Sequence, residues 1–327
     1  MSQKINRIAV FTSGGDAPGM NAALRAVVRT AAHEKLIVYG IMNGYEGMIN
    51  GSLKKLDVRD VGNIIQRGGT FLKTARSQEF MTKKGREKAF VQLQKFNIDG
   101  LVALGGNGTL TGADIFQREH GMPCIGVPCT IDNDLYGTDT TIGFDTAVNT
   151  AIEAVDKIRD TAESHNRLFF IEVMGRHAGF IALYTAIGSG AGNVLLPEKE
   201  TSIHDLVETL KAAEERKRLF NLVIVAEGNK IGSVHEIAKK VEAQMENVDV
   251  RVTVIGHLQR GGSPSGYDRL LATRLGYAAV EALIDGHSNV MVGISNNQLK
   301  HTPMAYAIKN EKELNMEILH LAEMLSI

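Results

Sequence analysis

Two aspartates, Asp132 and Asp134, stand two residues apart in the run Pro128-Cys129-Thr130-Ile131-Asp132-Asn133-Asp134. A carboxylate pair on a loop behind the apolar run Cys124–Val127 suits a general base beside a partner that sets a metal or orients the reacting group. Aspartate and asparagine also form turns and cap helices, and a helical pattern begins soon after, at Thr141. Two glycine-rich loops carry a second kind of chemistry. The loop Thr12-Ser13-Gly14-Gly15-Asp16-Ala17-Pro18-Gly19-Met20-Asn21 follows the apolar run Ile8–Phe11, and Gly105-Gly106-Asn107-Gly108-Thr109 follows Leu101–Leu104. Glycine lets backbone approach a ligand closely, and a helix start offers free N–H groups at a positive dipole end, which together make a phosphate site. A tight strand-to-helix turn is the plainer alternative. The spacing from Gly14 to Gly19 fits a P-loop, but Met20-Asn21 stand where Lys and Ser/Thr belong. A dinucleotide fingerprint fails too: Thr111 replaces its third glycine, and the run Ile37–Met42 ends in Asn43 rather than an acidic residue. A nucleotide phosphate is the better guest.

Arg76, Arg167, Arg176, Arg251 and Arg260 flank glycine turns or strand ends. A single arginine is ordinarily a solvated surface residue. Several beside glycine turns read as a trap for a doubly anionic phosphate ester, which guanidinium forks bind bidentately. The chain as a whole is not basic: 36 Lys and Arg face 37 Asp and Glu, a net charge of −1, which argues against a general nucleic-acid binder.

These loops need a scaffold. Short apolar runs (Ile8–Thr12, Ile37–Met42, Gly100–Leu104, Cys124–Val127, Leu168–Val173, Val194–Leu196, Leu222–Ala226, Val250–Ile255, Val290–Ile294) alternate with helical patterns. The runs are continuous rather than alternating, as strands covered on both faces should be. The expected fold is α/β with right-handed crossovers. At 327 residues the chain is long for one domain, and two lobes are expected, dividing near residue 138 into 1–138 and 139–327, with a C-terminal segment returning to either. Glu311–Ile327 reads as a terminal amphipathic helix. The cysteines, Cys124 and Cys129, form neither a disulfide framework nor a zinc signature and fit a reducing cytosol. The longest apolar runs are strand-sized, so no membrane span or export is expected, and the expected location is cytoplasmic.

With these segments in place the chain resembles the bacterial-type ATP-dependent 6-phosphofructokinases. The likeness runs through Thr12–Asn21, Arg67-Gly68-Gly69-Thr70, Ala75-Arg76, Gly105–Thr109, Thr130–Asp134, Ser164–Arg167, Glu172–Arg176, Glu227 and Gly256–Pro264. The resemblance implies two Rossmann-like three-layer lobes with mostly parallel sheets, an ATP-binding lobe and a sugar-phosphate-binding lobe with the active site between them. It implies transfer of the ATP γ-phosphoryl to the 1-hydroxyl of fructose 6-phosphate in glycolysis, with Mg²⁺ as cofactor. It also implies a homotetramer whose active sites are shared between subunits; from charge balance and run length, no nucleic-acid or membrane partner is expected. By motif match, Gly15, Arg76, Ser77, Gly106, Asn107, Gly108 and Thr109 hold ATP. Asp132 is the base, with Thr130, Asp134, Arg76 and Arg176 as the other catalytic groups. Thr130, Ile131, Asp132, Met174, Gly175, Arg176, Glu227, His257, Leu258, Gln259 and Arg260 hold the sugar phosphate, and Arg167 and Arg251 reach in from a neighbouring subunit. Arg25, Arg29, Arg159, Arg216 and Arg218 match a nucleotide-effector site, in which Val58 and Gly192 depart from the family's arginine and glutamate. Asn107 stands where the family has a metal-binding aspartate, and Cys129 where it has glycine. Pyrophosphate-dependent relatives carry aspartate at position 108 and lysine at 129, so Gly108 and Cys129 favour ATP. The alternatives are the pyrophosphate-dependent transfer and a non-catalytic sugar-phosphate-binding regulatory subunit.

Overall fold

The computed structural model describes residues 5–163, 167–215, 221–245 and 248–325. From the N-terminus, β1 (Arg7–Thr12), α1 (Met20–His33), β2 (Ile37–Ile41), α2 (Gly44–Asn50), β3 (Leu53–Leu56), α3 (Lys83–Lys95), β4 (Gly100–Gly105), α4 (Asn107–His120) and β5 (Cys124–Pro128) lead into α5 (Phe144–Glu163). Then come β6 (Arg167–Val173), α6 (Phe180–Ser189), β7 (Asn193–Leu195), α7 (Ile203–Glu215), β8 (Asn221–Ala226), α8 (Val234–Glu242) and β9 (Asp249–Val254). The chain finishes with α9 (Gly266–Ile284), β10 (Val290–Ser295), β11 (Gln298–Pro303), α10 (Met304–Lys309) and α11 (Met316–Leu325).

The chain divides into two compact α/β units. The first is Met1–Asp145 with Arg260–Lys312, and the second is Thr146–Gln259 with Glu313–Ile327. The division expected near residue 138 thus falls at Asp145–Thr146, and the returning segment is Arg260–Lys312. The first unit holds a seven-stranded sheet in the order β11-β10-β5-β4-β1-β2-β3. Its inner strands are parallel, while β3 and β11 join antiparallel at the edges. Neither edge strand was expected, because Lys54, Lys55, Lys300 and His301 interrupt the apolar pattern; charge of this kind guards an edge against unwanted pairing.

Strand residues alternate between faces. Ala9, Phe11, Leu101 and Ala103 turn toward a core shared with Tyr45 and Met48 of α2, Leu93 of α3, and Leu110 and Phe116 of α4. Phe11, Tyr45, Phe80 and Phe116 form a chain of ring contacts there, with Tyr45 stacked on Phe80 at a centroid distance of 3.9 Å. Thr82 caps α3 by accepting the Gly85 N–H at 3.0 Å, and Ser265 caps α9 through the Asp268 N–H at 3.1 Å.

The second unit holds an all-parallel sheet in the order β7-β8-β6-β9. Phe170, Leu195, Leu210, Val223, Val225, Ile237 and Val241 form its core. Ser233 and Glu236 close a reciprocal capping box at the start of α8. The sequence reads β9 as covered on both faces, but it is the sheet edge and is only half-buried, with Val254 49% exposed. In each unit, adjacent parallel strands deliver their carboxyl-end loops side by side, where open α/β sheets place ligands.

Candidate functional site

In the first unit the neighbouring strands β1, β4 and β5 end in the three loops singled out by their composition. They are stitched together by backbone: the Ser13 N–H donates to the Leu104 carbonyl at 3.1 Å, and the Cys129 N–H to the Gly105 carbonyl at 3.0 Å. Gly105 permits this closeness, since a Cβ there would run into Thr109 Oγ1 and the Ser13 carbonyl. The helix α4 begins at Asn107, and no side chain caps it. Gly106 occupies the cap position, and Asn107 Oδ1 accepts the Thr111 hydroxyl at 3.3 Å. Asn107 and Gly108 are exposed, and a Cβ on Gly108 would meet nothing within 4 Å. Thr109 Oγ1 is buried with no hydrogen-bond partner among the described residues. An open helix start beside an unused hydroxyl can receive anionic oxygens.

The aspartate loop packs against this helix start, with a Cβ on Gly106 lying 3.4 Å from Thr130 Cβ. Thr130, Ile131, Asp132 and Asn133 are all buried, Asp132 at 3% exposure, whereas Asp134 is half-buried. The Asp132 N–H donates to Thr130 Oγ1 at 3.2 Å, and the Thr141 hydroxyl donates to the Thr130 carbonyl at 2.6 Å. Arg260 lies against the first loop: its Nη1 donates to the Asp16 carbonyl at 3.1 Å and would sit 2.7 Å from a Cβ on Gly15. Arg76 is exposed, and Ser77 Oγ accepts the Phe80 N–H at 3.2 Å. The arrangement brings a buried carboxylate, a helix N-terminus and a guanidinium to the carboxyl ends of neighbouring strands.

In the second unit β8, β6 and β9 end in Glu227, Met174–Arg176 and Gly256–Gln259. Glu227 Oε1 accepts the N–H groups of Gly175 at 3.2 Å and Arg176 at 2.6 Å, which pins a turn where Arg176 has φ 52°. Gly228 belongs to the same turn, since a Cβ there would collide with the Arg176 carbonyl. The Met174 N–H donates to Gln259 Oε1 at 2.9 Å, while the buried Gln259 Nε2 has no partner among the described residues. His257 and Leu258 are exposed, Leu258 at 71%. Burial and then the neighbouring Glu227 raise the Glu172 carboxyl above its ordinary value. Arg167 and Arg251 project from adjacent strands onto one carboxylate, Asp249, at 2.7 and 2.9 Å.

Arg25 and Arg29 lie one turn apart on α1, where burial and then Arg29 hold the Arg25 guanidinium below its ordinary value. Arg159 of the second unit approaches Gly190. Arg216 and Arg218 lie outside the described residues.

A phosphofructokinase family profile matches residues 7–283, which is most of the chain. The chain belongs to the phosphofructokinase family. It is 55% identical to ATP-dependent 6-phosphofructokinase 1 of Thermus thermophilus, over 99% of this chain and 100% of that one. It is 53% identical to the ATP-dependent 6-phosphofructokinase of Cytophaga hutchinsonii, over 98% of each. The Saccharomyces cerevisiae phosphofructokinase structure superposes with a TM-score of 0.89 at 38% identity, covering 93% of this chain; this phosphofructokinase spans 45% of that longer chain. A pyrophosphate-dependent phosphofructokinase from Marinobacter aquaeolei shares the fold, with a TM-score of 0.83 at 24% identity over 96% of this chain and 86% of that one.

Within this phosphofructokinase, Gly15, Gly106, Asn107, Gly108, Thr109, Thr130, Ile131, Asp132, Asp134 and Arg260 gather at the strand carboxyl ends of the first unit, and Met174, Gly175, Arg176, Glu227 and Gln259 at the strand carboxyl ends of the second. Supporting residues escaped sequence reasoning. Tyr45, buried in the aromatic core, donates its hydroxyl to the Thr109 carbonyl at 2.5 Å. Asn21 spans the loop after β3, donating to the carbonyls of Arg67 and Gly68 at 3.0 and 3.1 Å and accepting the Phe71 N–H at 2.7 Å. Asn21 carried a signal, since a polar residue closes the first glycine loop; Tyr45 and Asp249 carried none.

Proposed function

We propose that the chain transfers the γ-phosphoryl of ATP to the 1-hydroxyl of fructose 6-phosphate, giving fructose 1,6-bisphosphate and ADP in glycolysis. The observation that carries this reading is identity of 51–55% with ATP-dependent 6-phosphofructokinases along essentially the whole length of both chains. Asp132 takes the hydroxyl proton as the sugar oxygen bonds to phosphorus and the bond to ADP breaks. Phosphoryl transfer asks chiefly for positioning and charge neutralisation, and the loops offer both. The start of α4, with Thr109, receives nucleotide phosphates. Arg76, Arg176 and Arg260 neutralise charge, and Glu227, Gln259 and the Met174–Arg176 turn hold the sugar phosphate. Gln259 Nε2 and Thr109 Oγ1 supply hydrogen bonds that the protein itself leaves unused.

Mg²⁺ fits as an ion carried by the nucleotide. No three His, Cys, Asp or Glu side chains gather to cage a metal among the described residues, and Asn107 offers one neutral amide oxygen beside the phosphate-receiving helix start. Asn107 and the nucleotide phosphates would hold Mg²⁺, which when bound would supply neutralisation of phosphate charge. ATP is favoured as the donor over pyrophosphate because glycine rather than aspartate stands at position 108 and leaves that side of α4 open. Burial also pushes the Cys129 thiol far up, so position 129 adds no charge. Arg167 and Arg251 outnumber the single Asp249 they share, and the remaining positive charge serves the sugar phosphate of a neighbouring subunit in a homotetramer. Arg25, Arg29 and Arg159 serve a nucleotide effector. The free, buried thiols suit the cytoplasm.

The test supplies the purified chain with fructose 6-phosphate, Mg²⁺ and either ATP or pyrophosphate, and measures fructose 1,6-bisphosphate. Product from ATP alone is expected. Product from pyrophosphate alone would reassign the donor, and none from either would leave a binding protein.

A further inference from the structure

Lys312 lies on the connector after α10, in the stretch Glu311–Ile327 that the sequence reads as a terminal helix; the helix begins only at Met316, and Lys312 belongs to no motif. Its Nζ donates to Asn133 Oδ1 at 2.8 Å and to the Asp139 carbonyl at 2.7 Å. Asn133 is 2% exposed and sits between Asp132 and Asp134 with φ 54°, the left-handed region. Its Oδ1 also accepts the Thr141 N–H at 3.0 Å. One amide oxygen therefore ties three segments together: the connector, the turn segment at Thr141, and the aspartate loop. The backbone conformation of Asn133 sets the direction in which the carboxylates on either side leave the chain. Half-buried, the ammonium gives up part of its hydration to make this tie, which an apolar residue in the same space would not have to do.

We propose that Lys312 is a positioning residue for phosphoryl transfer, holding the Asp132–Asp134 loop in its working geometry through Asn133. This rests on the reading of Asp132 as the base. Burial pushes the Lys312 ammonium down to about 8, while the carboxylates of Asp139 and Asp134, the charged groups that face it, favour the protonated form. The adjacent Glu311 and Glu313 are exposed. Above that pH the neutral amine no longer draws Asp134 and Asp139 toward it, and the latch weakens. Because the folded value lies below that of an exposed lysine, the unfolded chain binds more protons in this window, so rising pH stabilises the fold as the latch loosens. Activity and stability then move in opposite directions, which a merely structural lysine would not produce.

The experiment measures kcat, both KM values and thermal unfolding of the wild type, Lys312→Met and Lys312→Arg across pH 6–10. Lys312→Met should lower kcat about 10- to 100-fold, as small misplacements of reacting groups do, with each KM within about twofold. Lys312→Arg should recover most of the rate. In the wild type kcat should fall above about pH 8 without a matching fall in melting temperature, and Lys312→Arg should carry that limb upward. A Lys312→Met kcat within about twofold of wild type overturns the proposal. If Lys312→Met does not fold, an unmoved limb in Lys312→Arg overturns it instead. A wild type without transferase activity overturns the parent reading, a result distinct from an active wild type with indifferent variants.

Discussion

Asp132 illustrates how little of a residue's role lies in its identity. Aspartate at a turn is commonplace, yet here it is 3% exposed, its N–H bonded to Thr130 Oγ1, and the loop is held independently through Asn133 and Thr141. Asp132→Ser removes the proton acceptor and leaves those ties. Its kcat should fall roughly 10²- to 10⁴-fold, the range for lost acid–base help, while fructose 6-phosphate binding changes little. Steady-state kinetics decides it: turnover near wild type would remove Asp132 from the chemistry. Glu227 carries a different lesson. Expected to meet the sugar phosphate, it also clamps the Gly175–Arg176 turn through two N–H bonds, so any variant there perturbs the loop as well as the ligand.

Among the elements, α4 has the most demanding task, because its exposed first turn must stay in register with the loops after β1 and β5. Its start is held by the Tyr45 hydroxyl and its end by a two-pronged ion pair to α3. Arg86 Nε meets Glu119 Oε2 at 2.6 Å and Arg86 Nη2 meets Oε1 at 2.8 Å, while Nη1 donates to the carbonyls of Phe80 and Met81. The pair is mostly shielded from water, with 10% and 24% of the two side chains exposed. Glu119→Gln should cost about 1.5–3 kcal/mol, the range for hydrogen bonds to charged groups. The bond from Arg86 holds the Glu119 carboxyl below the usual carboxylate range. The wild type's advantage is therefore complete above that range and disappears as pH falls through the lowered value. Denaturant unfolding of both proteins at neutral and acid pH checks this; an equal gap at every pH would deny the pair its electrostatic role.

At the scale of the whole molecule, the proposed sharing of active sites makes assembly a condition of activity. Arg167 and Arg251 converge on Asp249 from adjacent strands, so Arg167→Ser leaves Asp249 partnered by Arg251 and should spare the fold. It should chiefly weaken fructose 6-phosphate binding, because a charge-assisted contact to phosphate contributes about 1.5–3 kcal/mol. Mixing Arg167→Ser chains with Asp132→Ser chains should restore part of the activity that each lacks, since some hybrid sites draw both intact groups from different subunits. Hybrids that form without regaining activity would confine each site to one chain.

Composition and periodicity determined the α/β class, most strands and helices, and the three loops at strand ends, because burial on both faces and a glycine turn leave local traces. The family likeness was legible in the same segments, from Thr12–Asn21 through Gly256–Pro264. Residues whose partners lie far along the chain left no such trace. Lys312 reaches Asn133 across 179 positions, Tyr45 reaches Thr109 across 64, and Arg167 reaches Asp249 across 82. The charged edge strands β3 and β11 were hidden for a related reason, since an edge needs only one covered face and its other side chains are free to be polar. Tertiary structure alone decided that Arg260 belongs with Gly15 and that Lys312 bonds to Asn133 inside the aspartate loop. Each is a matter of which segments meet when the first unit folds, and short-range pattern carries no record of it.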